Sequence, residues 1–143
     1  MSELKGRALR LLARREHSRA ELARKLAGDG SREEVQAVLD RLEQTGLLSD
    51  ARFTEAFVSS RAARLGNARL RRDLRLKGIA DELIAAALPA GAESEVDRAR
   101  AVRQRKFGAA PADRAGYARQ ARFLQSRGFA ADIIRKVLKD TEE

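Results

Sequence analysis

At 143 residues the chain has room for one domain or a short array of small helical units, and 43% hydrophobic content with only 4% aromatics means a core of Leu, Ile, Val and Ala, which suits helix packed closely on helix. Charged residues make up 36% of the chain, too many for a large compact interior, so a thin, extended body is expected. The net charge of +9 directs it toward polyanions (nucleic acid, an anionic membrane surface or an acidic protein groove), while the lack of Cys excludes disulfide, Cys-zinc and thiol-nucleophile chemistry.

The helical period recurs along almost the whole chain. Leu4, Ala8, Leu11 and Leu12 form one face of a first helix. Ser18 with Glu21 reads as a capping box that starts a second helix through Leu22 and Leu26, which Gly28 and Gly30 end. Ser31 with Glu34 is another capping box, opening a helix with Val35, Val38, Leu39 and Leu42 inward, closed by Gly46. Asp50 is expected to cap the next helix, which carries Phe53, Phe57 and Val58. After Gly66, Asn67 is expected to cap a short helix through Leu70 and Leu74 to Gly78, and another runs from about 80 to 88. Pro89-Ala90-Gly91 is the clearest punctuation in the chain. Ser94 with Asp97 reads as a cap for a helix reaching Phe107, and helices over 112–126, weakened by Gly116, and 130–140 complete the chain. No segment alternates apolar and polar residues for long enough to argue for a strand.

Two stretches share one spacing, Leu-x3-Gly-apolar-x3-apolar-Ile-x3-Leu: Leu74, Gly78, Ile79, Leu83, Ile84, Leu88, and Leu124, Gly128, Phe129, Ile133, Ile134, Leu138. Leu26, Gly30, Val35 and Leu39 form a looser copy, the three glycines standing 48 and 50 residues apart. A three-helix unit repeated three times, over 1–49, 50–91 and 92–143, is the simplest account. The Gly-apolar pairs are expected to be helix C-caps that build the fold rather than a site.

Nothing points to catalysis. Phosphate-cradling glycine loops are absent, and the lone His17 is expected at the surface or beside a cap. The carboxylates read as caps and partners of Arg. The charged N-terminus is unlike a signal peptide and nothing approaches the ~20 apolar residues of a membrane span, so a cytoplasmic protein is expected. Basic residues cluster instead. The densest run holds Arg61, Arg64, Arg69, Arg71, Arg72, Arg75 and Lys77 against the single acid Asp73. On a helix with Leu70 and Leu74 inward, Arg72, Arg75 and Leu76 fall outward and Lys77 near the inward edge. Further clusters are Arg7, Arg10, Arg14, Arg15; Arg98, Arg100, Arg103, Arg105, Lys106; and Arg114, Arg119, Arg122, Arg127. Such surfaces fit phosphates or an acidic protein groove, while the aromatics fall mostly on apolar faces and do not indicate base stacking. Codon bias explains Arg over Lys but not the excess of base over acid. Residues 19–48 also read as a helix-turn-helix entering a winged helix, although no strand pair follows.

The run Arg15-Glu16-His17-Ser18-Arg19-Ala20-Glu21-Leu22 with Lys25-Leu26 resembles the opening signature of the RecX family. Val38-Leu39, Leu42 and Gly46-Leu47-Leu48-Ser49-Asp50-Ala51-Arg52-Phe53 resemble its continuation; Leu74, Lys77-Gly78-Ile79 and Leu124, Arg127-Gly128-Phe129 resemble its later marks. Ser49 departs from the pattern, where a second acid more often precedes Asp50. The resemblance implies an all-α fold of three tandem three-helix repeats in an elongated array with right-angled corners, its curvature left open. It also implies a monomer that binds the RecA filament and single-stranded DNA weakly, damping the filament's ATPase, strand-exchange and co-protease activities without enzymatic chemistry or a cofactor. The expected RecA/DNA contacts are Arg69, Arg72, Arg75, Lys77, Arg103, Arg105, Lys106, Arg122 and Arg127. Two other readings remain open: a stand-alone DNA-binding protein, winged-helix-like or non-specific, and a helical adaptor for another acidic partner.

Overall fold

The computed structural model describes residues 2–139 and is helical throughout, with no strand among them. Its elements are α1 (Ser2–Arg14), α2 (Arg19–Leu26), α3 (Arg32–Gln44), α4 (Asp50–Arg61), α5 (Asn67–Leu76), α6 (Asp81–Ala87), α7 (Ala92–Phe107), α8 (Arg114–Ser126) and α9 (Ala131–Lys139). Residue 140, the expected end of the last helix, lies outside the described residues.

Contacts gather into two compact units, one of residues 1–57 and 74–87, the other of 58–73 and 88–143. In the first, α1, α2 and α3 bury Leu4, Ala8, Leu22, Leu26, Val35, Val38, Leu39, Leu42 and Leu48 together. In the second, α7, α8 and α9 bury Val96, Ala99, Val102, Leu124, Phe129, Ile133, Ile134, Val137 and Leu138. Fully burying each Val, Leu, Ile or Phe among them stabilises by about 1.5–3 kcal/mol, so these apolar faces, not helix propensity, hold the short helices.

The two closest sequence copies adopt one geometry. Gly78 and Gly128 take φ of 80° and 90°. The amide of Ile79 closes on the Leu74 carbonyl at 3.1 Å, as that of Phe129 closes on Leu124 at 3.2 Å. Both are helix C-caps with the apolar residue turned in, and Ile79 and Phe129 are buried. In the looser first copy the left-handed residue is Gly28 (φ 91°), not Gly30.

Both Ser-x-x-Glu capping boxes form as read, with Ser18 and Glu21 on α2 and Ser31 and Glu34 on α3. Three other expected caps differ. Asp50 is the first residue of α4, and its Oδ1 accepts the Arg19 amide at 2.7 Å, capping α2 instead. Ser49, the residue departing from the family pattern, caps α4 by accepting the Arg52 amide at 3.1 Å. Asn67 begins α5, but its side chain turns to Pro89 and Arg98. Helix α7 starts upstream of Ser94, at a Gly91 cap with no side-chain bond, and Asp97 pairs with Arg100. Gly116 serves the α8 cap, its amide donating to Asp113 Oδ1 at 2.7 Å where a Cβ would crowd the same oxygen.

Candidate docking surface

In the first unit, the sequence places a carboxylate, a histidine and three cations around the start of α2. The Glu21 side chain is 6% exposed. Arg15 reaches it with both amino groups, at 3.1 and 2.8 Å, and Lys77 Nζ lies 3.3 Å from its Oε2. Burial raises the Glu21 pKa, but the hydrogen bonds and charges of Arg15 and Lys77 prevail and hold it at about 2. Ser18, besides capping α2, donates through Oγ to the Lys77 carbonyl at 2.7 Å. The contacts fix the α5–α6 corner on the head of α2, and Gly78 makes the fit possible: a Cβ there would stand 2.5 Å from that of Ala20.

His17 stands next to the Ser18 cap, as one of its two expected placements has it, and is buried rather than at the surface. Its Nδ1–H donates to the Arg15 carbonyl at 3.0 Å, which leaves Nε2 to accept from Lys25 Nζ at 3.0 Å. That arrangement needs a neutral ring, and burial lowers the His17 pKa, with the neighbouring cations adding to it.

Helix α5 presents the face read from the sequence. Leu70 and Leu74 are fully buried, Arg72, Arg75 and Leu76 are exposed, and Arg69, Arg71 and Lys77 are half-buried. Arg75 Nε pairs with Asp81 at 3.0 Å, and Arg72 lies 3.6 Å from Asp73. Arg69 is tied into the second unit, donating to the Ser126 carbonyl at 3.1 Å with its Nε 3.4 Å from Asp73 in an ion pair lacking hydrogen-bond geometry.

In the second unit, two arginines of α7 hold the end of α4 and the turn after it. Arg98 donates to the carbonyls of Ala62 and Leu65 and to Asn67 Oδ1, and burial lowers its pKa. Arg105 donates to the Ala63 carbonyl while staying exposed. Arg103 lies away from the surface at 6% exposure, its Nε and Nη1 without partners. Lys106, Phe107, Phe123 and Arg127 come together: Phe107 meets Phe123 edge-on at 5.5 Å, with Arg127 4.6 Å and Lys106 5.4 Å from the Phe123 centroid. In this cluster Phe123 and Arg127 stand four residues apart at the end of α8, a spacing not singled out from the sequence. Arg122 is exposed beside it.

The nine expected contact residues thus divide. Arg72, Arg75, Arg105, Lys106 and Arg122 are exposed; Arg127 is half-buried against a ring; Arg69 and Lys77 bind other parts of the chain; Arg103 is buried. The Arg15–Glu21–Lys77 cluster was not foreseen, because Glu21 already has a full role in its capping box and Lys77 is 56 residues away. Among the described residues no group of His, Asp or Glu is arranged to hold a metal, and no helix is long and apolar enough to cross a membrane.

Three family models match in chain order: the first three-helix domain of RecX over residues 5–42, the second over 49–88 and the third over 93–138. The chain is 52% identical over 137 residues to the regulatory protein RecX of Leptothrix cholodnii, covering 95% of this chain and 87% of that one. It is 46% identical over 141 residues to the regulatory protein RecX of Herminiimonas arsenicoxydans, covering 98% and 93%. A crystal structure of RecX from Lactobacillus salivarius superposes with a TM-score of 0.82 at 20% identity, covering 99% of this chain and 96% of that one, and shows the shared fold.

Proposed function

The chain belongs to the RecX family of regulatory proteins, and from that premise we propose that it docks on the RecA–single-stranded DNA filament and damps its ATPase, strand-exchange and co-protease activities by binding alone. The observation that carries this reading is the near-full-length match to RecX regulators. The exposed cations Arg72, Arg75, Arg105, Lys106 and Arg122, with Arg127 beside Phe123, are the residues that meet the filament. Arg69 and Lys77 are engaged by other parts of the chain and Arg103 is buried. The protein works in the cytoplasm as a monomer of three repeats, 1–49, 50–91 and 92–143, and touches DNA weakly through phosphates.

The test is the single-strand-DNA-dependent ATPase of RecA with the protein titrated in at moderate salt. Inhibition below one chain per RecA protomer is expected, and the triple variant Arg72→Glu, Lys106→Glu, Arg122→Glu should weaken it at least about tenfold with helicity unchanged, since exposed charges contribute little to the fold. No inhibition, or inhibition abolished by excess single strand, means a plain DNA binder. Such a protein would bind DNA without RecA, its log affinity falling steeply with log salt. The winged-helix version of that rival has no strand for its wing among the described residues.

A further inference from the structure

Leu76 is 68% exposed, the highest value among the large apolar side chains described, on a helix whose other exposed residues are Ala68, Arg72 and Arg75. An isolated exposed leucine needs no explanation in general. Three features set this one apart. It ends α5, which carries Arg69, Arg71, Arg72 and Arg75 against a single acid, Asp73, so cations outnumber acids around the leucine even with Arg75 paired to Asp81 and Arg72 near Asp73. Its exposed neighbours place that charge close by: Arg75 adjoins it, and Arg72 stands one turn earlier on the same face. Its backbone is also held fixed. The next residue, Lys77, accepts Ser18 Oγ at its carbonyl (2.7 Å) and sends its ammonium to buried Glu21 (3.3 Å), while the following Gly78 packs on Ala20.

A leucine presented on a rigid frame loses little freedom on being covered, which makes it suited to anchor an interface. Its chemistry also distinguishes among polyanions. Phosphates gain nothing from an isobutyl group, and a surface selected for DNA alone would carry a polar or basic residue there. A protein with an apolar hollow inside an acidic rim matches both the leucine and the arginines.

We propose that Leu76, framed by Arg72 and Arg75, is the apolar anchor of a protein-docking surface whose partner is an acidic protein face with a hydrophobic hollow. This rests on the filament-docking reading and names the component that is met: the filament's protein, not its DNA.

The experiment compares wild type with Leu76→Ser and Leu76→Met for binding to two probes, RecA assembled on an oligo-dT strand with a slowly hydrolysed ATP analogue and the same strand without RecA. The expected result is a loss of about tenfold or more on the filament for Leu76→Ser, affinity for the bare strand unchanged within about twofold, and most of the filament binding retained by Leu76→Met. The melting temperature should stay within about 2 °C of wild type, because an exposed substitution costs within about 0.5 kcal/mol. Equal filament binding by wild type and Leu76→Ser, or an equal loss on the bare strand, overturns the inference while leaving the functional reading intact. A wild-type chain that binds the bare strand and not the filament overturns the functional reading, and the inference with it.

Discussion

Glu21 shows how one side chain can hold a corner of this fold together. Its pKa is about 2, against 4.5 for the free group. A carboxyl depressed in the folded state contributes stability that is present above its unfolded pKa and lost as pH falls through the folded value. The contribution is therefore complete above pH 4.5 and disappears between 4.5 and about 2. A shift of that size corresponds to at most about 3.4 kcal/mol, and less here because solvent reaches Arg15 and Lys77. Glu21→Gln should accordingly lose about 2 kcal/mol at pH 7. Its stability, followed by urea unfolding from pH 7 down to 2, should converge on that of the wild type; a constant difference over that range would show that the charge does not carry the effect. His17 acts in the same direction in a higher window. Its pKa is lowered, so protonation costs stability as pH falls below 6.5, where the imidazolium would lose its bond from Lys25 and face that ammonium. The capping role of Glu21 was legible because it needs only Ser18, three residues away. Its pairing with Lys77 was not, because no local pattern says which cation will reach a carboxylate across 56 residues.

Between elements, glycine decides how closely a corner can approach a helix. The spacing Leu-x3-Gly-apolar identified both corners from sequence because the C-cap is a local event with a local signature. What each corner rests on was not legible. The Gly78 corner sits on the head of α2 at Ala20, and the Gly128 corner on the head of α5 at Arg69, whose backbone nitrogen would be 2.8 Å from an added Cβ. The two unions share a hydrogen bond as well: the Lys77 carbonyl accepts from Ser18, and the Arg127 carbonyl accepts the Gly66 amide at 2.7 Å. Replacing either glycine by alanine combines the left-handed backbone penalty of about 1–2 kcal/mol with an overpacking cost of about 1–3 kcal/mol. Gly28→Ala carries the first cost alone, since nothing lies within 4 Å of its Cβ position. Thermal unfolding should therefore rank Gly78→Ala and Gly128→Ala well below Gly28→Ala. Equal losses at all three would mean that close approach to the neighbouring helix is not what selects glycine. The Asp50 cap makes the same point about reach: its residue type was readable, but the amide it accepts belongs to α2, 31 residues earlier.

Across the whole molecule, the sequence period and the contact pattern partition the chain differently. The period divides it in three, and three RecX domain models follow one another along it. The contacts divide it in two, with cuts inside α4 and α5 and a third at the end of α6. Each corner resting on the head of a helix from the preceding repeat accounts for this: the α5–α6 corner joins α2 in the first unit, and the head of α5 joins the α8–α9 corner in the second. Among the described residues, no member of either hydrophobic cluster lies between residues 49 and 95. The buried residues of the middle repeat, Phe53, Phe57, Leu70, Leu74, Ile79 and Ile84, are consequently shared between two bodies rather than gathered around a centre of their own. Helices of 7–12 residues are marginal in water without tertiary packing. A peptide of residues 50–91 should therefore show weak helicity and no cooperative melt by circular dichroism, although it spans the middle repeat expected from the sequence. A sigmoidal thermal transition in that peptide would show that the repeat carries its own core and that the division into two bodies is secondary. The contrast follows from nearest-neighbour repeat physics, in which the interface between units, more than the unit itself, supplies the stability.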